Sequence, residues 1–143
     1  MTKILVATDG SDGADRAVDY AANLAKVLND ELLIVNVACG IPAPLFRHLT
    51  SRQNAWIRET ENAMSAEILS KARARARSQG CGKVLLDSGS GDVVKTIIKI
   101  AQDKGVRTII VGKRGAGRVK GLLLGSVSQK LVSLAPCPVV VVP

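Results

Sequence analysis

The chain has 143 residues, 47% of them hydrophobic and 22% charged, the length and composition of one core-forming domain over residues 1–143, which excludes a disordered tail, a collagen or a disulfide-stapled miniprotein. Trp56, Tyr20 and Phe46 are its only aromatic residues, too few for a single-strand nucleic-acid reader that stacks bases on rings. Twenty Lys and Arg against twelve Asp and Glu give a net charge of +8, which favours anionic partners without naming the anion; residues 1–31 hold six acids and three bases, so the positive charge lies downstream.

Lys3 to Ala7 is a short apolar run stopped by Thr8-Asp9-Gly10-Ser11, the pattern of a strand buried on both faces and followed by a helix. From Ser11, a candidate N-cap, Ala14, Ala17, Val18, Ala21, Leu24, Ala25 and Leu28 recur at helical spacing, with Asp12 and Asp15 in the first turn. Leu32 to Val37 reads as a second buried strand. Residues 38–52 carry Gly40, Pro42 and Pro44 and make a long irregular connection, of a size to serve as a lid. A helix is predicted over 53–79, its buried side marked by Ile57, Met64, Ile68, Ala72 and Ala76 and its end by Gly80 and Gly82. Val84 to Asp87 is a third strand and Ser88-Gly89-Ser90-Gly91 a turn. Val93, Val94, Ile97, Ile98 and Ala101 mark a helix ending at Gly105, and Arg107 to Val111 is a fourth strand. A glycine-rich loop, a helix from Ser126 to about Leu134 and a strand over 138–142 complete the chain.

Strand and helix alternate throughout, without linker or internal repeat, so the expected fold is α/β: a single-domain, open five-stranded parallel sheet with helices on both faces. Ligands of such sheets sit beyond the carboxyl ends of the strands, where the strand order reverses. Asp9, Val37 and the loop after Val111 are therefore the places where a site is expected. Cys39, Cys81 and Cys137 are odd in number and far apart, which suggests neither a disulfide framework nor a zinc knuckle. The first residues lack a signal-peptide pattern and no apolar run reaches the roughly 20 residues of a membrane span; the expectation is a soluble, cytoplasmic protein with no membrane partner.

The loop from Gly112 to Gly125 holds Gly112, Gly115, Gly117, Gly121 and Gly125 with Lys113, Arg114, Arg118 and Lys120. Bare glycine backbone lets a ribose and phosphates approach, and the helix that follows offers its free N–H groups to an anion. Ser126 and Ser128 could add hydroxyl donors. A lone glycine in a loop more often supplies a turn or a cap, but five together with four bases, between a strand and a helix, point to phosphate. No G-K-[ST] occurs, so this is not a Walker A loop, and the spacing of Gly115, Gly117 and Gly121 misses the dinucleotide fingerprint.

The pattern G-x2-G-x9-G-[ST], here Gly112, Gly115, Gly125 and Ser126, followed by a hydrophobic helix and Ala135-Pro136-Cys137-Pro138 with four valines, resembles the universal stress protein family. The opening ILVATDGS, the strand end Asn36-Val37 and the 88–92 segment resemble it as well; only about 40–56 is idiosyncratic. The resemblance implies a Rossmann-like fold of HUP type with strand order 3-2-1-4-5. It also implies ATP binding, with Mg2+ or Mn2+ held mainly by the phosphates and no dedicated metal site in the protein. Carried over position by position, Ala7, Thr8 and Asp9 border the nucleoside, Val37 meets adenine through its backbone, and Val111 and Gly112 lie along the ribose. Gly115, Gly125, Ser126, Val127 and Ser128 would hold the phosphates, with Lys113, Arg114, Arg118 and Lys120 available to neutralise them. The family's habit also implies a homodimer through Val139 to Val142, at the sheet edge in that strand order.

Asp9 has two readings, as an acceptor for ribose hydroxyls or partner of a divalent ion, and as a cap for the following helix. The run Lys71, Arg73, Arg75, Arg77 reads as a solvated helix surface, because residues two apart on a helix face different ways. His48 is the only histidine, which argues against a Ser-His-Asp triad or a multi-histidine metal site, and Cys137 reads as a small buried hydrophobe. The expected activity is a nucleotide-dependent stress-response module with slow ATP hydrolysis at most and no catalytic residue assigned. An adenylating enzyme of the same architecture would carry H-x-G-H or S-G-G-x-D-S, neither of which occurs, and a weak nucleic-acid binder would need more than dispersed charge.

Overall fold

A computed structural model describes residues 2–40, 43–113 and 124–143. The elements run β1 (Lys3–Ala7), α1 (Asp12–Leu28), β2 (Glu31–Ala38), α2 (Ala43–Phe46), α3 (Ser51–Ser78), β3 (Val84–Ser90), α4 (Val93–Lys104), β4 (Val106–Gly112), α5 (Ser126–Leu134) and β5 (Val139–Val142). All four strand pairs are parallel, in the order β3-β2-β1-β4-β5. Alternate side chains of the central strands feed two cores. Ile4, Val6, Leu32, Ile34 and Ile110 meet α1 and α3 on one face. Leu5, Leu33, Val35, Ile109 and Val111 meet α4 and α5 on the other. Strand order reverses between β1 and β4, so their carboxyl ends diverge into a crevice.

Helix α1 is held at both ends by local chemistry. The Ser11 hydroxyl accepts from the Ala14 N–H at 3.3 Å, and Asn29, in the left-handed region at φ 56°, closes the other end. Its buried stripe is mostly alanine, including Ala14, Ala17, Ala21, Ala22 and Ala25, which lets the helix lie close to the sheet. At the end of β4 the approach is backbone to backbone. A Cβ on Gly112 would stand 2.9 Å from the Gly13 carbonyl oxygen, so this glycine is required for packing.

Two elements differ from the sequence expectation. Helix α3 begins at Ser51, two residues early, because Thr50 and Gln53 form a reciprocal capping box at 2.9 and 3.1 Å. Its buried residues are Ser65, Leu69, Ala72 and Ala76; Ile57 and Ile68 are half-buried and Met64 is 60% exposed. Met64 and Ser65 point about 100° apart, and the sheet takes the smaller side chain. Strand β3 runs on through Ser88, Gly89 and Ser90, where a turn is expected, because the β2 ladder at Asn36, Val37 and Ala38 supplies their backbone partners. As an edge strand with alternating exposure, β3 tolerates polar residues there. The chain turns at Gly91, φ 111°.

The lid-sized connection contains the short helix α2; residues 41–42 lie outside the described part. In the basic run of α3, Arg75 is committed to α1. Its guanidinium donates to both Asp19 oxygens at 2.7 and 2.8 Å, with Asp15 at 3.8 Å, and these carboxylates raise its pKa further, the Asp19 hydrogen bond most. Lys71 pairs with Glu67 at 3.1 Å.

Candidate functional site

A cleft of about 280 Å3 opens at the carboxyl ends of β1 and β4, close to the lower end of the roughly 300–1,000 Å3 of small-molecule sites. Ten of the residues expected from the sequence line it: Ala7, Thr8 and Asp9 after β1, Val37 on β2, Val111 and Gly112 on β4, and Gly125, Ser126, Val127 and Ser128 at the start of α5. Gly115 and Arg118, with Arg114, Gly117, Lys120 and Gly121, lie outside the described residues. Lys113 also lines the cleft.

The β1 end is fixed by its neighbours. The Thr8 N–H donates to the Val35 carbonyl at 2.9 Å, and the buried Asn36 side-chain amide donates to the Thr8 carbonyl at 2.8 Å. In a parallel ladder the N–H and C=O of one residue face the same neighbour and alternate along the strand. Val37 thus faces the β1 side, as Val35 does, but beyond the last residue of β1, so its backbone groups are directed at the cleft. Asp9 Oδ1 accepts from the Ser11 N–H at 2.9 Å, while Ser11 itself caps α1. The carboxylate thereby rigidifies the turn, and Ser11 takes the capping role left open for Asp9.

The base of the glycine loop is stapled. The Lys113 N–H donates to the Val142 carbonyl and the Gly125 N–H to the Lys113 carbonyl, both at 2.7 Å. The Ser128 hydroxyl, 2% exposed, shares its proton between the Lys113 and Gly125 carbonyls at 2.9 and 3.1 Å. Its proton is thus used to close the loop, unlike the expected ligand donor, which leaves only the Ser128 main-chain N–H at the open start of α5. Helix α5 has Gly125 at its N-cap with no side-chain cap, and its first intrahelical bond is Gln129 N–H to the Gly125 carbonyl at 3.0 Å. The N–H groups of Ser126, Val127 and Ser128 therefore have no intrahelical acceptor, at the positive end of the helix dipole.

Apolar walls complete the cleft, and several were not foreseen as site residues: Val35, Val93 and Ile97, with Ala14 and Cys39. Val93 and Ile97 belong to α4, which reaches the cleft only because its crossover passes back over β2 and β1; no motif marks them. Gly112, expected to admit ribose, owes its small size to Gly13 as described above. Elsewhere, His48 is exposed, and burial raises the pKa of the half-buried Cys137 thiol. Among the described residues no three His, Cys, Asp or Glu side chains converge as a metal site, and no helix is long and apolar enough to cross a membrane.

A doubly wound sheet with a crevice at its switch point defines a Rossmann-like α/β protein. Known proteins sharpen that class. The Universal stress protein family model matches residues 1–143. Universal stress protein YxiE of Bacillus subtilis is 34% identical over 147 aligned positions, covering 99% of each chain. The solved structure of UspA from Lactobacillus plantarum superposes with a TM-score of 0.84 at 24% identity, over 99% of this chain and 97% of that one. A universal stress protein crystallised in complex with cAMP superposes with a TM-score of 0.72 at 27% identity, over 99% and 96%. The chain belongs to the universal stress protein family.

Proposed function

We propose that this protein binds ATP in the β1–β4 cleft and acts as a nucleotide-dependent regulatory module of the stress response, in the cytoplasm. The observation that carries the proposal is the uncapped start of α5 facing the same cleft as the outward backbone edge of Val37. One end offers three N–H groups to phosphate, and the other offers a donor and an acceptor to an adenine edge between apolar walls of Val35, Val93 and Ile97. Ala7, Thr8 and Asp9 would border the nucleoside, Val111 and Gly112 the ribose, and Gly125, Ser126, Val127 and Ser128 the phosphates. Gly115 and Arg118 would complete that grip from the loop. The relative solved with cAMP supports an adenine nucleotide as the ligand class.

Mg2+ or Mn2+ would be held mainly by the phosphates. Among the described residues that line the cleft Asp9 is the only candidate general base, and its Oδ1 is engaged by the Ser11 N–H, so hydrolysis is slow at most. The β5 strand, at the end of the sheet order with its far edge available, would pair with a second copy through Val139 to Val142. Equilibrium dialysis with ATP and magnesium tests the reading: saturable binding that ADP and cAMP compete for is expected. Absence of retained nucleotide at millimolar concentration would overturn it.

A further inference from the structure

Strand β2 carries one polar side chain on its most deeply buried face. Leu32, Ile34 and Asn36 point the same way from the sheet, and the first two belong to the core under α1 and α3. Asn36 is equally hidden, at 6% exposed, where an amide is tolerated only if it is hydrogen-bonded. Its Nδ2 donates to the Thr8 carbonyl oxygen at 2.8 Å. A carbonyl can only accept, which fixes the amino group as the partner.

That bond stands at a ladder position. The Thr8 N–H donates to the Val35 carbonyl at 2.9 Å, so a regular parallel ladder would next join the Val37 N–H to the Thr8 carbonyl and the Gly10 N–H to the Val37 carbonyl. Neither bond forms among the described residues. The Asn36 amide serves the Thr8 carbonyl, and the Gly10 N–H donates to Thr8 Oγ1 at 3.1 Å. Two side chains thus stand in for the two main-chain groups of Val37, a residue that lines the cleft. The turn after β1 is satisfied, while Val37 keeps one donor and one acceptor for something outside the chain.

We infer that Asn36 is a positioning residue of the nucleotide site. Acting from the opposite face of the sheet to the Val35 and Val37 side chains, its amide satisfies the Thr8 carbonyl and so reserves the Val37 N–H for a ring nitrogen of the base. The Thr8 hydroxyl does the same for the Val37 carbonyl, leaving it to an exocyclic amino group. The inference rests on the nucleotide reading and adds to it the side chains that keep the base edge open.

Amide hydrogen exchange and ATP affinity of the full-length protein test it, with Asn36→Leu as a variant of similar volume and no donor. In the free parent the Val37 amide should exchange at least about tenfold faster than that of Val35, which is in the ladder with β1, and should slow when ATP is added. In Asn36→Leu the Thr8 carbonyl, left without its partner, should recruit the Val37 N–H. That amide then becomes protected without ligand, ATP binds about tenfold more weakly, and inorganic triphosphate, which needs only the start of α5, binds as it does to the parent. A purely structural role would lower the melting temperature without protecting Val37. The inference is overturned if Val37 is as protected as Val35 in the free parent, a measurement that needs no variant, or if folded Asn36→Leu keeps the parent's ATP affinity. Failure of the nucleotide reading is told apart because the parent itself then retains no ATP.

Discussion

The two ends of the sheet treat polar groups in opposite ways. At the amino end, groups are spent on one another. The Thr2 hydroxyl donates to Asp30 Oδ1 at 2.5 Å, Arg107 Nη1 donates to Asp30 Oδ2 at 3.2 Å, and the Glu31 N–H donates to the Thr2 carbonyl at 3.0 Å. Asp30 is buried, and its pKa is lowered chiefly by the Thr2 hydrogen bond, with Arg107 helping against the opposing effect of burial. At the carboxyl end, the start of α5 has no side-chain cap and the Val37 backbone points past the end of β1. Polar groups satisfied internally hold three strand ends together; those kept for something outside the chain make a site.

The largest expected effect breaks the carboxyl end alone. Gly125 has φ −72° and ψ 169°, extended backbone that valine readily adopts, and Gly125→Val keeps the N–H that closes the loop. The branched side chain should block phosphate from the α5 amides. Losing two charge-assisted hydrogen bonds of about 1.5–3 kcal/mol each weakens ATP by about 100-fold or more, with the thermal midpoint nearly unchanged; dialysis and a melting curve read the two quantities. Unchanged ATP affinity would move the phosphate site elsewhere.

Gly112→Ala sharpens the comparison within that end, because this glycine serves packing. Its Cβ would press on the Gly13 carbonyl, and overpacking of about 1–3 kcal/mol is expected, measurable as a lower denaturant midpoint. Wild-type stability would show that α1 shifts without cost. The amino end gives the smallest effect, one present near neutrality and lost in acid. Because the folded pKa of Asp30 lies below its ordinary 3.8, its contribution is fully present above that value. It is lost as pH falls through the lower, folded value. Asp30→Asn should lower stability near neutrality and flatten the acid limb of the stability curve below about pH 4, with ATP binding unchanged. An unaltered acid limb would assign the acid sensitivity to other carboxylates.

Much of the fold and of the site is legible in the sequence. The apolar runs of β1, β2 and β4 and the alanine stripe of α1 are periodic signals, and Gly125-Ser126 between a loop and a helix marks a helix start facing a possible anion. Where the reading missed, packing overrode local pattern. Met64 looks buried by its place in the apolar helical pattern, but the sheet accepts Ser65; residues 88–90 look like a turn, but the β2 ladder makes them strand. Ser128 looks like a ligand donor, yet its hydroxyl closes the loop. The walls from Val93 and Ile97 have no sequence signature, since they join segments dozens of residues apart.

The sequence by itself determined the alternation of strands and helices, the parallel sheet that this alternation requires, and the family, because hydrophobic period and glycine spacing are local quantities written along the chain. The tertiary structure alone decided which glycine makes room for a helix, which serine closes a loop and which polar atoms are left facing a cavity. Those outcomes depend on distances between elements, and such distances exist only once the crossovers have set the elements side by side.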